Sequence, residues 1–184
     1  MNQIKKPTQF KLFIGFILIF LTALGIFIGI QESILQKGEI LFLESAPVDP
    51  RDLLRGDYVI LRYVFENDSM IQNYIEENDI DKGTDLYVSF NTINGDLGVI
   101  KSVSRSFPNE GIFLRVTTTG EKGWQSPIET HIGKYFVPEG TGGEIERIRS
   151  DMTIKLRVNT KGVARIVDLY YRGERIIPGE FRLN

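Results

Sequence analysis

Residues 12–30, LFIGFILIFLTALGIFIGI, contain no charge and a single hydroxyl, that of Thr22. As a helix this stretch would run about 28 Å at 1.5 Å per residue, close to the thickness of the hydrocarbon core of a bilayer. Every face of that helix would be apolar, which a core helix of a water-soluble domain has no reason to be. A transmembrane helix is therefore expected, with the lipid bilayer as its surroundings. Lys5, Lys6 and Lys11 precede the stretch, whereas Gln31, Glu32 and Ser33 follow it. The positive-inside rule then predicts a cytoplasmic N-terminus and an extracytoplasmic remainder. The stretch outruns a signal-peptide core and no small-x-small site closes it, so an uncleaved anchor in the cell membrane is expected. Gly25 and Gly29 form a G-x-x-x-G pair, a spacing that lets two such helices approach as a homodimer.

The anchor divides the chain into a basic cytoplasmic segment (1–11), the span (12–30), a short polar stalk (31–38) and one outer domain (39–184). About 150 residues outside the membrane are enough to close a hydrophobic core. The absence of cysteine excludes disulfides, thiolate metal sites and a cysteine nucleophile, and leaves the redox compartment open. All 24 acidic residues lie beyond the span, and three of the 22 basic ones precede it. The outer domain is thus net acidic, and nucleic acid is not an expected partner.

Within the outer domain the hydrophobic pattern has mostly the period of strands. Residues 40–43 form a brief apolar run. After Asp49 and Pro50, which suit the N-cap and first position of a helical turn, Gly56 offers a left-handed stop. From Asp57 the period becomes two, with Val59, Leu61, Tyr63 and Phe65 on one face and Tyr58, Ile60 and Arg62 on the other, which predicts an interior strand. Residues 66–83 are rich in Asn, Asp and Glu, with Met70, Ile71, Tyr74 and Ile75 at helical spacing. They read as a surface insertion with a short helix and solvated charge. Strand patterns return at 85–91 and 97–104, joined by an Asn94-Gly95 turn, and again at 111–118. The stretch that follows holds the only tryptophan, Trp124, and the only histidine, His131.

A short apolar strand is expected at 134–138, and Thr141 with Glu144 offers a capping box for a small helix carrying Ile145 and Ile148. Residues 152–159 and 163–171 alternate cleanly about a Lys161-Gly162 turn, and Arg172-Gly173 turns the chain into a last strand. Eight or nine strands against two short helices predict a mainly β domain, an antiparallel barrel or sandwich, preceded by one transmembrane helix.

Gly56, Asp57, Tyr58, Leu61 and Tyr63 spell G-D-Y-x-x-L-x-Y, preceded by Asp49-Pro50-Arg51 and Leu53-Leu54-Arg55. With the later Tyr135-Phe136-Val137-Pro138-Glu139-Gly140, leading into Glu144 and Glu146, this resembles the bacterial membrane-anchored family named after the GDYxxLxY motif. The resemblance implies one N-terminal span followed by a single domain. It carries no established activity and no catalytic residue. The shared positions are Gly56, Asp57, Tyr58, Leu61, Tyr63, Pro138, Glu139 and Gly140.

Each candidate for chemistry has a plainer reading in packing. Asp57, just past Gly56 with Arg51 and Arg55 within reach, can position a ligand, but a carboxylate pinning its own turn is the simpler account. Tyr58 and Tyr63 lie on opposite faces by strand parity, so at least one belongs to the core. His131 has neither a second histidine nor a cysteine to complete a zinc site. Glu139, Glu144 and Glu146 lack calcium-loop spacing, and Gly140-Thr-Gly-Gly lacks the Lys-Ser/Thr of a phosphate loop. Neither a metal nor a cofactor is expected.

The alternative is enzymatic. Signal-peptidase-like serine/lysine proteases share the topology of an N-terminal span and an outward β domain. Pro50 ahead of Gly56-Asp57, and Val99-Ile100-Lys101, look somewhat like their sequence pattern. Pro47 stands where the serine would be, which leaves a displaced Ser45 with Lys101 as the candidate dyad. The favoured reading is a non-catalytic domain that binds or scaffolds an integral membrane partner.

Overall fold

The computed structural model describes residues 6–47, 58–92, 97–121 and 126–181. Helix α1 (Lys6–Lys37) includes an apolar window, Phe10–Ile30, none of which is buried against the rest of the protein. The single hydroxyl of this window does not stay unsatisfied, because Thr22 Oγ1 donates to Leu18 O at 2.8 Å. By length and composition this helix can cross a membrane. The polar residues expected as a stalk are its last turns. Gly38 alone separates α1 from β1 (Glu39–Glu44), and Arg157 Nη1 donates to the Gly38 carbonyl at 3.1 Å.

In chain order there follow β2 (Tyr58–Ile60), α2 (Ser69–Glu77), β3 (Asp85–Asn91), β4 (Val99–Ser104), β5 (Ile112–Thr118), β6 (Ile128–Glu129) and β7 (Lys134–Phe136). The chain then forms α3 (Gly142–Ile148), β8 (Met152–Val158), β9 (Ala164–Tyr171) and β10 (Glu174–Ile176). Three antiparallel units result, in the orders β1-β8-β9-β10, β4-β3-β5-β6 and β2-β7. Leu41 and Leu43 of β1 face Leu156 and Ile154 of β8 in register, and their side chains join Leu86, Val88 and Leu114 of the second sheet in one core. Alternation along β8 is complete: Met152, Ile154, Leu156 and Val158 are buried, and the residues between them only partly so.

The hairpin turns follow the residues that the local geometry requires. Arg172 and Gly173 both have positive φ, 51° and 84°, as a two-residue turn between right-twisted strands demands. Gly162, at φ 74°, closes the β8–β9 turn where a Cβ would come 2.8 Å from the Phe113 ring and 2.9 Å from Arg115 N. That close approach lets Arg115 N donate to Gly162 O at 3.0 Å, tying the first sheet to β5. The sheets meet again beside β1, where Gly98 N donates to Phe42 O at 2.8 Å and Ser45 bridges Tyr63.

The mainly β, antiparallel domain behind one apolar helix is as the sequence pattern predicts, and of the two forms it allowed, barrel or sandwich-like, the strands do not close into a barrel. The long interior strand expected from Asp57 onward is three residues of β2, paired among the described residues with β7 only. Leu61 N still bonds Gly133 O at 2.9 Å, but Val64–Asn67 then winds into a 3-10 turn leading through Asp68, the N-cap of α2. Its carboxylate accepts from Met70 N at 2.8 Å. Glu66, expected among solvated charges, is buried next to the buried Phe65, because the 3-10 turn breaks the alternation that would put the two on opposite faces.

The capping box at Thr141 is not made. Its backbone (φ −101°, ψ −5°) is already helical, and its hydroxyl donates instead to Pro138 O at 2.7 Å. Residues 93–96 and Trp124 lie outside the described residues, although β3 and β4 pair antiparallel as expected for their hairpin.

Candidate functional site

Asp49, Arg51, Arg55, Gly56 and Asp57 lie outside the described residues. The rest of the motif is placed, and it joins the two segments that carry the family resemblance. Tyr58 faces Phe136 and Val59 faces Tyr135 across β2 and β7, with the Tyr58 and Phe136 rings 6.0 Å apart at 60°. Lys134 Nζ lies 5.3 Å from the centre of the Tyr58 ring. Leu61 is buried, and Tyr63 is wholly enclosed, with its hydroxyl donating to Ile132 O at 2.8 Å. Burial, then the nearby Glu66 charge, raises the Tyr63 phenol well above its ordinary pKa. Tyr63 is thus a neutral donor fastening 58–63 to 132–136. Pro138, Glu139 and Gly140 form the exposed turn into α3, with Gly140 at φ 76°.

The two residues of the alternative dyad have separate duties. The buried Ser45 Oγ donates to Met152 O at 2.9 Å and accepts from Met152 N at 2.8 Å. Its hydroxyl therefore takes the place of a main-chain carbonyl at the end of the β1–β8 ladder. Lys101 is exposed on β4. Along α1, a Cβ at Gly25 or Gly29 would meet nothing within 4 Å. Among the described residues, no three His, Asp or Glu are grouped so as to hold a metal ion.

A groove of about 880 Å³ that the sequence did not signal opens beside the β2–β7 ribbon. Its walls are residues 134–136 on one side and 163–166 on the other, with Leu61, Ile132 and Glu66 deeper in. Glu66 is 1% exposed. Thr130 Oγ1 donates to its Oε1 at 3.1 Å, whereas among the described residues Oε2 has no hydrogen-bond partner and only the Arg62 guanidinium, 3.6 Å away. Burial raises the Glu66 carboxyl to about 7, against the lowering by Arg62, Thr130 and the Tyr63 backbone. Arg62 is too far for a good hydrogen bond, so desolvation wins.

His131 sits at the same groove with one edge exposed. Its Nε2 accepts from Ala164 N at 2.8 Å, which makes that nitrogen the unprotonated one. Desolvation of the ring lowers its pKa, and the charges of Arg165 and Arg115 act in the same direction. The imidazole is a neutral clasp on β9. Lys134, Arg62 and Arg165 place positive charge along the groove's rim. The arrangement can accept a hydrogen bond at Glu66 Oε2 and attract negative charge at the rim. Among the described residues, it contains no nucleophile bonded to a base.

No curated protein and no solved structure matches the chain. A family model described as "GDYXXLXY protein" matches residues 20–169, from the second half of α1 to β9. The chain belongs to the GDYXXLXY protein family.

Proposed function

We propose that this is a single-pass membrane-anchored protein whose β domain stands on the extracytoplasmic side and there binds an integral membrane partner without catalysing a reaction. The observation that carries the reading is the junction at Gly38. An apolar helix whose window is not buried passes into β1 across one residue, so the domain is held at the membrane surface rather than on a long tether. Lys5, Lys6 and Lys11, at the N-terminal end of the window, support that orientation by the positive-inside rule. A domain held this way meets membrane proteins at high effective concentration.

The absence of native cysteine makes the topology testable with one introduced thiol. Glu110→Cys, at an exposed position, is expected to react with a membrane-impermeant maleimide in intact cells. Labelling only after permeabilisation would reverse the orientation. Lysine cross-linking of the full chain in its native membrane is expected to recover an integral membrane protein. Recovery of none, at normal abundance, would remove the binding role.

A further inference from the structure

We infer that the groove between β7 and β9 is the docking site for an extended acidic segment of that membrane partner, which enters as an added β-strand. The inference deepens the binding role proposed above and rests on it.

Both walls of the groove are strand edges to which, among the described residues, no further strand is paired, although Ala164 on β9 already meets His131 Nε2 through its N–H at 2.8 Å and its carbonyl at 3.2 Å. β9 pairs with β8 along its whole length, but with β10 only at Leu169–Tyr171. Asn159 N donates to Val163 O at 3.0 Å, which sets the phase of that ladder. Val158↔Ala164 and Leu156↔Ile166 are then non-bonded pairs, so the main-chain N–H and C=O of Ala164 and Ile166 point away from β8, into the groove. Opposite, the Leu61 N to Gly133 O bond sets the phase of the ribbon. Lys134 and Phe136 therefore turn their own N–H and C=O away from β2. Among the described residues, no strand pairs with either edge.

His131 shows what such an edge accepts, because its Nε2 takes the Ala164 N–H where a neighbouring strand would offer a carbonyl. Among the described residues, the Ile166 edge beyond it has no such cover. Exposed main-chain edges are templates for strand addition. The occupant's chemistry follows from charge complementarity. Arg62, Lys134 and Arg165 line the groove, whereas its acids are Glu129 and the enclosed Glu66. An acidic segment complements that rim, and a hydroxyl or amide donor on it would satisfy Glu66 Oε2. Phe136, 74% exposed at the lip, supplies an apolar anchor.

The test is photo-cross-linking of the full-length protein in its native membrane, with benzoylphenylalanine at Phe136 and, as a control away from the groove, at Phe107. The expected product from Phe136 maps to an acidic, extended segment of an integral membrane protein and is absent from Phe107. Lys134→Pro removes one outward N–H without touching a β2 bond, and should cut the yield at least tenfold. Lys134→Glu, which keeps the backbone intact, should do the same should the proline variant fail to accumulate. An undiminished yield in both variants, or a product that is lipid, a second copy or this chain itself, overturns strand addition. Capture of a membrane protein from Phe107 or by lysine cross-linking, with none from Phe136, overturns the groove and leaves the binding role standing. No capture from any position removes both.

Discussion

Tyr63 donates its phenolic hydroxyl to the carbonyl of Ile132, 69 residues away, from a position with no exposed surface. The last tyrosine of the family motif is therefore a fastener between two strands of a ribbon. Tyr63→Phe keeps the ring but leaves the Ile132 carbonyl without its donor. We expect a loss of about 1–2 kcal/mol, seen as a fall of several degrees in the thermal midpoint. An unchanged midpoint would mean that water replaces the hydroxyl.

Two glycines should respond to alanine in opposite senses. At Gly162 the methyl would meet the Phe113 ring and Arg115 N, in a left-handed backbone. Gly162→Ala should cost at least about 1–3 kcal/mol, because strain and overpacking act together. Gly143 lies within α3, where a Cβ meets nothing within 4 Å. Gly143→Ala should be neutral or stabilising by up to about 1 kcal/mol through helix propensity. Paired urea denaturation of the two variants checks both signs.

Ser45 and Lys101 separate architecture from catalysis. Ser45→Ala strands the buried Met152 N–H, whose acceptor is Ser45 Oγ, and should destabilise by about 1–3 kcal/mol. Lys101→Ala, at an exposed strand position, should lie within about 0.5 kcal/mol of the parent and leave membrane-protein processing intact. A processing defect in Lys101→Ala at normal abundance would support the serine/lysine reading.

What the sequence made legible was local. The alternation of Met152, Ile154, Leu156 and Val158, and the turn residues Gly162 and Arg172-Gly173, specify β8 to β10 because partner and turn lie within a few residues of each other. The apolar helix is legible for the same reason. The pairing of Tyr58 with Phe136 is not, since strand periodicity says which side chains share a face but not which distant strand lies alongside. Nor was the groove, because it depends on that pairing and on the 3-10 turn that swings Glu66 inward. His131, a lone histidine without the partners of a zinc site, serves as the clasp on Ala164, a role that no spacing announces.

Glu66 makes stability depend on pH in a direction opposite to that of a salt-bridged carboxylate. Its folded-state pKa, about 7, lies above the ordinary 4.5. Between those values the native protein holds a proton that the unfolded chain has released, so stability falls as pH rises through that window and stays low above it. At about 1.4 kcal/mol per unit, the effect amounts to about 3 kcal/mol. Glu66→Gln keeps an acceptor for Thr130 and supplies a neutral amide to the groove. The variant should match the parent near pH 4.5 and exceed it by up to about 3 kcal/mol above pH 7. Thermal midpoints measured from pH 4.5 to 8 test this, and parallel curves for the two proteins would show that Glu66 does not carry the dependence. A higher midpoint combined with a lost Phe136 cross-link would assign the stability given up at Glu66 to recognition of the incoming strand.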